Sequence, residues 1–159
     1  MHRSLRTAAF VTGAVLGVTT LVAPAASAGD GSSGGSGHTI LRDTLMGSMP
    51  DGPVLFGVKP GGVDWVVDES LARVREDGRV RVRVEGLVIP GAGTGTVTTI
   101  TATVVCNGMT VATTMPAPLD ADGDARIDDT VWLPDYCHMP AVLVNPNGNT
   151  QRYIAATGL

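Results

Sequence analysis

Residues 73–85 read RVREDGRVRVRVE, and this stretch constrains the fold more than any other. Apolar residues return at every second position on both sides of Glu76-Asp77-Gly78, Ala72 and Val74 before it and Val80, Val82 and Val84 after it. A repeat of two is the repeat of a β-strand, whose side chains alternate between faces. A helix would scatter the same valines around its axis. The turn then sets the register. A two-residue loop, Asp77-Gly78, would pair Val74 with Arg81 and mix the faces. A three-residue loop, Glu76-Asp77-Gly78, pairs Arg75 with Arg79, Val74 with Val80 and Arg73 with Arg81, and gives Gly78 the left-handed position of a bulged turn. Ala72, Val74, Val80, Val82 and Val84 then share one face. A slip of one residue would expose them, so burial selects this register. The predicted hairpin runs over 71–76 and 79–87.

The same alternation puts Arg73, Arg75, Arg79, Arg81 and Arg83 on the other face. Directly opposed like charges destabilise a sheet. Solvent and salt, the flanking Glu69 and Glu85, or an anionic ligand must offset them. The face is therefore either a solvated outer surface or a site for an anionic polymer, such as a teichoic-type or acidic polysaccharide of a cell envelope. Guanidinium groups match phosphate and carboxylate oxygens geometrically.

The rest of the chain reads as short strands broken by Gly, Pro, Asn and Asp, with no convincing helix. A second hairpin is predicted over 97–106 and 109–114, joined by the turn pair Asn107-Gly108. It pairs Cys106 with Met109 and Val104 with Val111. Ile100, Ala102, Val104 and Cys106 point inward, and Thr99, Thr101 and Thr103 outward. Further strands are expected over 54–58, 63–67, 125–133, 141–145 and 152–156, with Trp65 a core residue. Residues 38–49 are either an edge strand or loose. This pattern predicts an all-β fold, an antiparallel β-sandwich of immunoglobulin-like type with one disulfide.

The first 28 residues read as an export signal: Arg3 and Arg6, an apolar run over 7–22, and the cleavage pattern Ala26-Ser27-Ala28. The apolar run is shorter than the ~20 residues a membrane span needs. Cleavage before Gly29 is expected, giving a secreted, extracellular protein with no remaining membrane span. Residues 29–37 (GDGSSGGSG) bury nothing and read as a flexible linker, leaving 38–159 as one domain. With Arg3 and Arg6 removed, nine cations stand against fifteen acids, a net charge of −6. That argues against a general polyanion binder, nucleic acid included, and leaves only a local patch able to bind one. Cys106 and Cys137 are the only cysteines, and in an exported chain they read as a disulfide.

Several segments carry a resemblance. Leu55-Phe56-Gly57-Val58, Pro60-Gly61-Gly62, Trp65-Val66-Val67 and Val105-Cys106-Asn107-Gly108 are among them, as are Leu133-Pro134, Cys137, Pro140-Ala141-Val142-Leu143-Val144 and Ile154-Ala155-Ala156-Thr157-Gly158. Together they resemble a group of small secreted actinobacterial β-sandwich proteins with no assigned function. The resemblance covers most of the chain after the export segment. It implies compartment and fold and carries over no functional residues.

Other candidate sites are weaker. Asp120, Asp122 and Asp124 have the alternate spacing that opens a calcium loop, but Ala125 and Val131 stand where that loop needs Gly and a bidentate Glu. A polar turn at Asp122-Gly123 is the simpler reading. Trp132 points away from Val131 and Leu133; it either sits under a loop or in the second layer of the sandwich, or stands exposed beside Tyr136, where it could contact a sugar or a partner side chain. The segment 134–139, braced at Cys137, could be the reactive loop of a small protease inhibitor. Two histidines remain after processing, His38 and His138, and no serine sits in a nucleophile elbow. The expected role is thus non-catalytic binding of an envelope polymer or an extracellular protein, with no cofactor and no metal. An enzyme of unrecognised type is a further alternative.

Overall fold

The computed structural model describes residues 37–158. The predicted export signal and nearly all of the predicted linker lie outside the described residues. Twelve strands run in chain order: β1 (Thr39–Asp43), β2 (Met46–Gly47), β3 (Lys59–Pro60), β4 (Glu69–Arg75), β5 (Arg79–Glu85), β6 (Thr99–Cys106), β7 (Met109–Thr113), β8 (Ala117–Pro118), β9 (Ala125–Thr130), β10 (Ala141–Pro146), β11 (Arg152–Tyr153) and β12 (Ala155–Ala156). No helix forms among the described residues. A first sheet has the order β1-β4-β5-β9 and a second β2-β12-β10-β6-β7, with β8 also on β6. Both are antiparallel; a two-residue parallel pair, β3 with β11, stands apart.

A sandwich arrangement fits these sheets. Val74, Val80, Val82, Val84 and Ile127 of the first sheet share one core with Ile100, Ala102, Val104, Val142 and Val144 of the second. The immunoglobulin-like refinement is not confirmed by this order. The β4–β5 hairpin lies between β1 and β9, and the disulfide ties a strand to a loop.

The first hairpin forms in the burial-selected register. Val74 pairs with Val80 and Arg73 with Arg81. Gly78 has φ 82°, and a Cβ there would lie 2.0 Å from the Val131 carbonyl oxygen. Both the left-handed backbone and this close approach require glycine. Residues 39–43 take the edge-strand option on β4.

The second hairpin turns at Asn107-Gly108 and pairs Cys106 with Met109, as expected. Val104, however, lies opposite Ala112 and not Val111, because Val105 pairs with Thr110 and Val111 is an extra residue in a bulge. The bulge turns Val111 towards the main core. Thr101 and Thr103 are also not outward in the sense of exposed. They are buried, because a second apolar cluster of Val58, Val105, Ala141, Leu143, Tyr153 and Ala156 covers the outer side of the second sheet.

Two expected strands, over 54–58 and 63–67, do not form. Pro53, Gly57 and Pro60-Gly61-Gly62 break the extended chain. Leu55 and Val58 close a tight turn on each other, and Val66 makes a single bridge to Val88. Trp65 still reaches the main core and is buried. The strand expected over 125–133 stops at Thr130.

Candidate functional site

Antiparallel pairing carries the arginines of the hairpin onto a wider surface. Arg42 of β1 lies opposite Arg73, and Arg73 opposite Arg81. Arg81 in turn lies opposite Asp128 of β9. One rung thus carries three arginines across three strands before it meets an acid. On the next rung, Arg83 lies opposite Arg126. Arg42 and Arg126 were not singled out in the sequence. Nothing local marks them, because they join the face only through strand pairing with residues far away in the chain.

Eleven lysines and arginines occur in the chain. Nine lie among the described residues, and seven of these are Arg42, Arg73, Arg75, Arg79, Arg81, Arg83 and Arg126, on or beside the outer face of the first sheet. The other two, Lys59 and Arg152, pair in the small parallel ladder.

The neutralisation of this face is uneven. Arg79 holds Asp128 in a two-pronged pair, with Nε on Oδ1 at 3.0 Å and Nη2 on Oδ2 at 3.1 Å. Arg81 donates from Nε to the same Oδ2 at 3.1 Å. Two guanidiniums therefore share one carboxylate. The Arg79 hydrogen bond holds the Asp128 carboxyl below its ordinary value, and that of Arg79 is raised in turn by the Asp128 hydrogen bond. Arg83 pairs with Glu85, and Arg75 with Asp77 at 3.3 Å. Among the described residues, Arg73 donates its side-chain hydrogen bond to a neutral oxygen, Thr39 Oγ1, at 3.0 Å. Among the described residues Arg42, Arg73 and Arg126 have no ion pair. Where Glu69 lies opposite Glu85 the face turns acidic. Two shallow grooves of about 520 and 480 Å³ flank the Arg83–Glu85 pair there.

The three aspartates of the weak calcium candidate act as turn residues. The Asp120 side chain accepts the amides of Asp122 at 3.0 Å and Asp124 at 2.8 Å. The Asp124 side chain accepts the Gly86 amide at 3.0 Å. Among the described residues no group of His, Cys, Asp or Glu is arranged to hold a metal ion.

Trp132 is exposed at 75% and Tyr136 at 76%. The structure does not stack them on each other: Tyr136 instead stacks on His138, with ring centroids 6.5 Å apart. The loop that carries Tyr136 is held firmly. Cys137 is bonded to Cys106, with Cα atoms 4.8 Å apart. The Asn107 side chain donates to the Tyr136 carbonyl at 2.9 Å and accepts the His138 amide at 3.0 Å. Its backbone amide donates to the His138 carbonyl at 2.8 Å. Beneath the loop lies a groove of about 480 Å³ bounded by Ile40, Glu76, Leu133 and Tyr136. Among the described residues no helix is long and apolar enough to cross a membrane.

No protein-family model, curated protein or solved structure matches this chain.

Proposed function

We propose that this is an exported, non-catalytic binding domain whose first sheet takes an anionic polymer on its outer face. The observation that carries the reading is the segregation of charge. Seven arginines gather on or beside one sheet face of a chain whose net charge is negative. Three of them lack an ionic partner among the described residues. Opposed arginines cost stability, and a ligand with closely spaced phosphate or carboxylate groups removes that cost when it binds. The rungs present guanidiniums in adjacent strands, about 5 Å apart in sheet geometry, which suits a repeating anion better than a single ion. Binding of purified protein to cell-wall polymer and to soluble polyphosphate, across a salt series, tests this. Binding that weakens as salt rises supports it; absence of binding at low salt refutes it.

The clamped loop favours a second reading, a small inhibitor that presents 134–139 to an extracellular protease. Asn107 and the disulfide hold the backbone, while Tyr136 and Met139 stand out into solvent. Rigid presentation lowers the ordering cost of binding. Incubation with secreted proteases separates the two readings, since an inhibitor survives intact and suppresses activity.

A further inference from the structure

Leu55 and Val58 exchange both backbone hydrogen bonds, at 2.9 and 2.8 Å, around Phe56 and Gly57. Phe56 has φ 51° and Gly57 φ 82°. Positive φ at both central residues is the two-residue turn that Asn-Gly satisfies best. The same molecule has two Asn-Gly pairs with this sign of φ, Asn107-Gly108 at 55° and 78° and Asn147-Gly148 at 48° and 71°. A bulky side chain at the first position is strained, because its Cβ crowds the following carbonyl. Burial does not account for it either: Phe56 is 40% exposed and belongs to neither apolar cluster.

Phe56 borders a groove of about 330 Å³. Thr103, Thr110, Thr113, Thr150 and Gln151 line it together with Val58, Val111 and Ala112, and no ionisable residue does. The Thr103 hydroxyl is oriented by a buried chain. Thr103 donates to Asn145 Oδ1 at 2.6 Å, and Asn145 Nδ2 donates to the Arg152 carbonyl at 2.7 Å. The hydrogen of Thr103 is thus committed, so in its 3.0 Å contact with Thr113 it is Thr113 that donates. Thr113 is left with its oxygen as an acceptor, in a groove that exposed Thr110 and Thr150 also line. An aromatic residue beside uncharged residues that carry hydroxyls and an amide suits one neutral sugar ring, whose C–H face can pack on a phenyl and whose hydroxyls both donate and accept.

We propose that the groove between the Phe56 turn and β7 is a subsite for a neutral hexose unit. It lies on the second sheet and does not rest on the arginine face of the first. The strain at Phe56 is then a stability cost retained for binding.

The test is an amide-shift titration of the purified chain with glucose, maltose, cellobiose and lactose, with glycerol as a control. The expected result is a saturable shift with at least one sugar and none with glycerol, confined to Phe56, Thr110, Thr113 and Gln151, with a Kd on the order of 1–10 mM. Phe56→Asn should weaken that binding tenfold or more while raising the Tm, since it restores the preferred turn pair. Thr113→Val, which keeps the shape, should also weaken binding. No saturable shift with any of the four sugars would overturn the proposal, and so would equal shifts with glycerol. A lower Tm in Phe56→Asn would assign the ring to packing and overturn it as well.

Discussion

Asp128 governs how much of the arginine face is available. It sits opposite Arg81 and ties down Arg79 as well, so replacing it releases two guanidiniums together. Asp128→Asn should bind soluble polyphosphate severalfold more tightly than the parent, read by titration at low salt. The same substitution has an opposite effect on stability. Asp128's folded-state value lies below its ordinary one, chiefly through the Arg79 hydrogen bond. Its contribution is therefore present above the unfolded carboxylate value, about 3.9, and is lost as pH falls through the lower folded value. Urea unfolding as a function of pH should show an acid-side loss in the parent that is smaller in Asp128→Asn. Asp128 is about one-third exposed, so solvent screening keeps the effect modest. The ring of Phe56 shows the complementary case, a residue whose local cost only the groove explains.

At the scale of elements, the strongest signals in the sequence were those in which neighbours along the chain decide the outcome. Gly78 and the Asn107-Gly108 pair mark their turns locally, and the valine alternation chooses the first hairpin's register. The Val111 bulge escaped because it depends on Val111 reaching the core across the sheet. The 54–58 and 63–67 segments look like strands by composition, but Pro and Gly at their borders and a lack of ladder partners leave them as turns and bridges. The buried state of Thr101 and Thr103 also escaped, since it depends on remote residues around Val58 and Tyr153 folding over the second sheet. Two stability tests follow. Val82 is 1% exposed at the centre of the β4–β5–β9 ladder, and Val82→Ala should cost roughly 2 kcal/mol in denaturant unfolding from lost transfer and cavity terms. Replacing Cys106 and Cys137 with serine should cost roughly 3–4 kcal/mol, the chain-entropy value for a loop whose ends are 31 residues apart. It should also loosen the 134–139 loop, with faster proteolysis there than elsewhere.

On the whole molecule, the two sheets turn unlike surfaces outward. The first presents arginines; the second is largely covered by the cluster around Val58 and Tyr153 and leaves Thr110, Thr113 and Thr150 exposed beside Phe56. The five hairpin arginines were legible in the sequence because they lie on adjacent strands joined by a tight turn. Arg42 and Arg126 were not, since only the completed order β1-β4-β5-β9 places them there. Those two residues and Arg73 are the cations on this face without an ionic partner among the described residues, and they make the most direct test. Polyphosphate affinity and Tm are measured together for the parent and for the triple variant Arg42→Gln, Arg73→Gln, Arg126→Gln. The account predicts that affinity falls at least tenfold and its salt dependence flattens, while the Tm is unchanged or rises as opposed like charges are removed. A triple variant that keeps the parent's affinity and salt dependence would contradict it, and would leave the arginine face a solvated surface.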